Sequence, residues 1–166
     1  MAILERISSR FKKRALMTLS ELIKEGTICF LEETSRDEAL KALANALTHA
    51  GEVVDEELFY QALLNREDIV STAIGMGVAI PHAKLPSCKR FFLAIGVQKS
   101  KEGIEWGALD EIPVRLIFMI GGPANQQTEY LKILSHLTSA IKSEDRRRSM
   151  LGAKNKEEII ALFAKH

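Results

Sequence analysis

Five consecutive apolar residues, Leu116-Ile117-Phe118-Met119-Ile120, constrain the fold of this chain more than any other feature. A strand sends successive side chains to opposite faces, so a run without polar alternation needs cover on both. A second such run, expected as a strand over 91–97, contains Phe91, Phe92, Leu93, Ile95 and Val97. Helical patterns elsewhere can supply the cover. Ala39, Leu40, Leu43, Ala46 and Leu47 share one face, and Ser35 with Glu38 has capping-box spacing ahead of them. Leu58, Phe59, Ala62 and Leu63 form a second buried stripe over 55–66, and beyond Gly121-Gly122-Pro123 the pattern is helical, with breaks near Lys142-Ser143 and Gly152. A short strand is expected over 27–31, and Ile104-Glu105-Trp106 reads as a short edge strand. The expected class is α/β: a mixed parallel and antiparallel sheet covered by helices on both faces.

With 166 residues the chain fits one domain. Twenty-three Lys and Arg against 22 Asp and Glu leave a formal charge of +1, which argues against nucleic acid as a partner. Its apolar runs fall far short of the roughly 20 residues that cross a bilayer, so no stable membrane insertion and a cytoplasmic location are expected. Cys29 and Cys88 fit neither metal-ligand nor CxxC spacing and read as packing residues. Residues 1–17 combine Arg6, Arg10, Lys12, Lys13 and Arg14 with Ile3, Leu4, Ile7 and Phe11 at helical intervals. This basic amphipathic extension is either a docking element or a plain terminal helix; residues 18–166 form the domain proper.

Between these patterns lies a run of small residues from Ser71 to Lys84 that looks built for a task. Gly75 and Gly77 free the backbone for close approach of peptide N–H groups to a ligand. His82 follows Pro81, whose ring fixes its own φ and restricts Ile80, so the histidine leaves a stiff platform and can present one ring nitrogen outward. Neutral imidazole is a usable nucleophile near pH 7 when its other nitrogen donates to an acceptor. The plainer alternative is a histidine merely satisfied by the fold.

The stretch from Arg66 through Ser71-Thr72, Gly75, Gly77, Ala79-Ile80-Pro81-His82 and Lys84 resembles the signature of enzyme IIA domains of the fructose/mannitol class in the bacterial phosphoenolpyruvate-dependent phosphotransferase system. Among these it is most similar to the free-standing nitrogen-regulatory branch. Ile104-Glu105-Trp106 with Asp110 and Pro113-Val114, and the helix expected over 128–141, extend the likeness to about residues 18–165. The resemblance implies the fructose/mannitol-type IIA fold and a phosphohistidine relay. In it His82 accepts a phosphoryl group from an HPr-type carrier and either passes it to a IIB domain or uses it to control binding of a regulatory target. Such a component acts only within the relay, as a phosphoprotein and not a stand-alone enzyme, and needs no metal or cofactor.

Arg66 precedes His82 by sixteen positions, the family's separation, and a guanidinium can fork onto two phosphate oxygens. Thr72 and the peptides at Gly75 and Gly77 are further candidates for orienting ring or phosphate. Lys84 either receives an acidic partner surface or is simply exposed. One departure stands out: Tyr130 occupies the position where the family usually places a second histidine. At about 100° per residue His136 lies about 120° around the helix from it and is a poor substitute. Tyr130 is either a core residue with its hydroxyl at the rim or a hydrogen-bond donor that cannot carry a histidine's charge. His49 and His166 read as solvent-facing. The 166 residues hold no segment that reads as IIB, IIC or HPr, which favours a regulatory carrier. A IIA subunit serving fructose/mannitol-type uptake and a phosphorylation-independent interaction module are the alternatives.

Overall fold

The computed structural model describes residues 18–164, so the basic extension over 1–17 and His166 lie outside the described residues. The elements run α1 (Leu19–Leu22), a 3-10 turn (Glu25–Thr27), β1 (Ile28–Leu31), α2 (Arg36–His49), α3 (Glu56–Ile69), β2 (Ala73–Gly75), β3 (Val78–Ala79), β4 (His82–Lys84), β5 (Phe92–Gln98), β6 (Leu116–Gly122), α4 (Gln127–Ile141), α5 (Glu144–Gly152) and α6 (Lys156–Leu162). The Ser35 hydroxyl starts α2 by accepting the Glu38 N–H, and the Asp55 carboxylate starts α3 by accepting the Leu58 N–H.

The apolar run becomes β6, at the centre of the sheet. It pairs antiparallel with β5, which pairs parallel with β1; on its other edge it pairs parallel with both β3 and β4, while β2 closes antiparallel onto β3. The sheet is therefore mixed, and both faces are covered. Leu116, Phe118 and Ile120 point to one face, where Tyr130, Ile133 and Leu137 of α4 meet Met150 and Ile159 from α5 and α6. Ile117 and Met119 point to the other, against Leu40, Leu43 and Leu47 of α2 and Phe59 and Leu63 of α3. Burial of such side chains contributes roughly 1.5–3 kcal/mol each, so this strand anchors both layers.

One local expectation is corrected. The edge strand at Ile104-Glu105-Trp106 is a single antiparallel bridge between Ile104 and Val114, ahead of the start of β6 at Leu116. Pro113 offers no N–H to a ladder, and the Arg115 and Leu116 amides both donate to the Gly77 carbonyl, which ties this segment to the β2–β3 turn. Cys29 and Cys88 are half-buried free thiols, and burial raises the pKa of both, as suits packing residues.

What positions the site is the gap between β3 and β4. Both strands lie along the same edge of β6, separated by Ile80-Pro81. The Ile80 N–H donates to the Thr72 carbonyl, 3.0 Å away, and the Pro81 carbonyl accepts the Ile120 N–H. The ladder thus resumes at His82, whose side chain emerges where one strand has been broken into two.

Candidate functional site

His82 sits half-buried at the start of β4, with each ring nitrogen engaged. Its Nδ1 lies 3.1 Å from the Ile80 carbonyl oxygen, and its Nε2 lies 3.2 Å from Nε of Arg66. A carbonyl can only accept and a guanidinium N–H can only donate, so Nδ1 carries the proton and Nε2 the lone pair. Burial holds the pKa of His82 below the ordinary imidazole range. The Ile80 hydrogen bond opposes that shift, the Arg66 and Lys84 cations reinforce it, and Glu67 opposes it. The depressed pKa favours the neutral ring at pH 7, with its lone-pair nitrogen facing a guanidinium.

Arg66 comes from the last turn of α3, where its cation also suits the negative end of the helix dipole. One of its terminal nitrogens donates to the Val70 carbonyl at 2.8 Å. Both acceptors, the imidazole nitrogen and the carbonyl, are uncharged, so the guanidinium keeps its positive charge available to an arriving anion.

Tyr130, in the first turn of α4, forms a wall beside the ring. Its ring centroid is 5.5 Å from that of His82, and the Lys84 ammonium stands 4.5 Å from the tyrosine centroid on a cation–π contact. Lys84 also donates to the Gln127 side chain. Tyr130 is buried, and desolvation raises the pKa of its phenol. His136 is exposed on α4, as its angular offset requires, and His49 is exposed at the end of α2. The shallow cleft beside His82 has a volume of about 240 Å³; Arg66, Thr72, Ile74, Ile80 and Tyr130 line it, and α4 continues the groove through Leu134 and Thr138. Among the described residues no group of three or more His, Cys, Asp or Glu side chains could hold a metal ion.

Not every residue singled out in the sequence reaches this cleft in the way expected. Thr72 lines it, but its amide and its hydroxyl both donate to the Glu67 carboxylate, so neither donor is turned to the ring. Gly75 and Gly77 are absent from the lining of the cleft. They take φ of +90° and +73° around Met76, and this turn is what their freedom serves. The Met76 N–H, the peptide donor exposed between them, is taken by the Asp110 carboxylate at 2.9 Å.

Glu67, which the sequence pattern did not single out, is buried by the structure, at 4% exposure. Its signal was periodic: Phe59, Leu63 and Glu67 follow one another at i, i+4 and i+8 and are the buried residues of α3. Trp106 joins the same network, donating from Nε1 to the Thr72 hydroxyl oxygen at 3.3 Å.

Comparison with known proteins now decides the family. Residues 5–166 match the family described as "Phosphoenolpyruvate-dependent sugar phosphotransferase system, EIIA 2". The chain belongs to this EIIA family. The PTS system fructose-specific EIIA component of Haloferax volcanii is 35% identical over 136 residues, covering 81% of this chain and 87% of the relative. The fructose-specific EIIABC component of Bacillus subtilis is 33% identical over 151 residues; the match takes in 90% of this chain but spans only 24% of that longer protein. The crystal structure of nitrogen regulatory protein IIA-Ntr from Neisseria meningitidis superposes with a TM-score of 0.80 at 27% identity, covering 87% of this chain and 98% of the other. The mixed sheet with helices on both faces is thus the fold of known EIIA proteins.

Proposed function

We propose that His82 is the phosphoryl acceptor of this EIIA protein and that Nε2 is the atom that attacks. The observation that carries this reading is the pair of opposed hydrogen bonds on the ring, Nδ1–H to Ile80 and Nε2 from Arg66. An HPr-type phosphocarrier would present a phosphohistidine. The Nε2 lone pair forms the new N–P bond while the P–N bond to the donor ring breaks, and its electron pair returns to the donor nitrogen. The Nδ1 proton stays in place, where the Ile80 carbonyl stabilises the positive charge that develops in the His82 ring. Arg66 must leave Nε2 as phosphorus arrives, and from the same anchor it can fork onto the phosphoryl oxygens, so catalysis is positioning and charge neutralisation. Lys84 adds positive charge behind Tyr130. Tyr130 supplies an aromatic wall but no full charge, so the phosphorylated state is held less firmly than a second histidine would hold it.

Two uses of the phosphoryl group follow. Ile74 lines the cleft and is 45% exposed, and Ile69 and Val70 next to Arg66 are 78% and 60% exposed, an apolar rim suited to a protein partner. Phosphorylation would add about −1.5 to −2 charges inside that rim and change what docks there. This regulatory reading is supported by the likeness to IIA-Ntr along nearly its full length. Delivery to a sugar-specific IIB is the second reading, favoured by the higher identity to fructose-specific relatives.

The test is relay phosphorylation from phosphoenolpyruvate through enzyme I and an HPr-type carrier, read by intact mass at mildly alkaline pH. Wild type gains one phosphoryl group, His82→Ala gains none, and Tyr130→His lengthens the lifetime of the label. Labelling of His82→Ala at the wild-type rate, or no labelling of wild type by a demonstrably active donor, would overturn the acceptor assignment.

A further inference from the structure

The lone pair on Nε2 depends on a proton held at Nδ1, and the structure shows what holds it. The Ile80 carbonyl that accepts this proton belongs to a residue with no ladder partner of its own on β6, because the strand is interrupted there. Ile80 is fixed from its other end, by donating its N–H to the Thr72 carbonyl at 3.0 Å. Thr72 in turn is clamped by one buried carboxylate: its amide donates to one oxygen of Glu67 at 3.0 Å and its hydroxyl donates to the other. Trp106 Nε1–H closes the remaining side of the Thr72 hydroxyl. Behind Trp106, its carbonyl accepts the Ser71 hydroxyl at 2.6 Å, and Ser71 Oγ accepts the Ala73 N–H, which fixes the peptides on both sides of Thr72.

Glu67 is 4% exposed and Thr72 6%, so this network has little access to water as a substitute partner. Burying a carboxylate is costly, and a hydrophobic residue at this step of α3 would continue the stripe of Phe59 and Leu63. Its position next to Arg66 gives the cost a purpose, because α3 then controls both ring nitrogens: Arg66 meets Nε2 directly, and Glu67 reaches Nδ1 through two peptides.

Taking His82 as the acceptor, as proposed above, we propose that Glu67 is a positioning residue for phosphoryl acceptance: by clamping Thr72 it orients the Ile80 carbonyl, which keeps the His82 proton on Nδ1 and leaves Nε2 free to attack. Glu67 touches neither the ring nor the phosphoryl group. It acts through Thr72 and Ile80, so its removal should change the ring's tautomer and not only the stability of the domain.

The experiment compares wild type with Glu67→Leu, Glu67→Gln and Thr72→Val. Long-range proton–nitrogen NMR of the 15N-labelled protein reads the tautomer of His82, exchange of the Ile80 amide reads the intermediate link, and relay phosphorylation reads the rate. Glu67→Leu leaves the Thr72 N–H without its acceptor; the expected result is a mixed tautomer, faster exchange at Ile80 and acceptance slowed by about tenfold or more, the scale seen when groups supporting a site's ligands are lost. Glu67→Gln should restore most of the wild-type behaviour, because its amide oxygen still accepts the Thr72 N–H and its NH2 can donate to a reversed hydroxyl. If Glu67→Leu fails to fold, Thr72→Val carries the test, since it keeps the amide link but loses the hydroxyl, and an intermediate shift is expected. A folded Glu67→Leu, or Thr72→Val in its place, with the wild-type tautomer would overturn the proposal even if stability fell. A shifted tautomer in a protein whose wild type accepts no phosphoryl group would instead overturn the acceptor reading and leave the hold of Glu67 on the ring standing.

Discussion

Arg90 and Arg66 each stand at the edge of a cleft, and the two clefts put their arginines to opposite ends. The larger, of about 370 Å³, is lined by Glu52, Val53, Phe59, Leu85, Cys88 and Arg90 among others. There Arg90 makes two hydrogen bonds to the Glu52 carboxylate, and Lys24 adds a third at 2.7 Å. Burial works against ionisation of Glu52, but the hydrogen bonds and charges of Lys24 and Arg90 outweigh it and hold the carboxyl below its ordinary range. The cations are spent on the protein's own anion. In the smaller cleft Arg66 faces a neutral imidazole and a carbonyl, and its charge remains available. Cavity size therefore ranks these sites wrongly for chemistry; what distinguishes them is whether the charge is already paired.

Exchanging each arginine for lysine should separate the two most sharply. Lysine keeps the charge but loses the fork, so Arg66→Lys is expected to slow phosphoryl acceptance by about 10²-fold, the lower end of what loss of one oriented donor costs at a developing anion. Arg90→Lys should leave acceptance at the wild-type rate, because Lys24 continues to neutralise Glu52 and neither cation lines the cleft beside His82. Relay kinetics on both variants check this, and equal slowing would erase the distinction between the clefts.

A smaller effect divides them by pH. The pKa of His82 is depressed in the folded state, so the unfolded chain takes up that proton first as pH falls. Its contribution to stability is complete above the unfolded value of about 6.5 and is lost as pH drops through the folded value. The pKa of Glu52 is also depressed, so its contribution is present above the unfolded carboxylate value of about 4.3 and is lost below it. Denaturant unfolding from pH 8 to pH 3 should thus show two separate losses. His82→Gln removes the upper one and Glu52→Gln the lower; a single loss unaffected by His82→Gln would contradict the neutral, half-buried imidazole.

The layers of the fold were readable because they follow periodicity. Leu116 to Ile120 demanded cover on both faces, and the stripes through Leu40 and Leu47 and through Ile133 and Leu137 supplied it. The acid at Glu67 breaks the polarity rule while obeying the period, so a search for apolar stripes passes over it. The glycines misled in the other direction. Their positive φ was a sound inference, but the N–H exposed between them, that of Met76, is met by Asp110, thirty-four residues further on, a pairing no local pattern announces. Family likeness joins Arg66 to His82, and the fold adds which atoms meet: Nε of the one and Nε2 of the other.

The proposed relay turns on one atom. Phosphorylated wild-type protein labelled with 15N in histidine, observed through nitrogen and phosphorus NMR, reports which ring nitrogen of which histidine bears the phosphoryl group. Attachment to Nε2 of His82, with the proton retained opposite Ile80, is the predicted result. Attachment to Nδ1 of His82, or to any other residue, would contradict it.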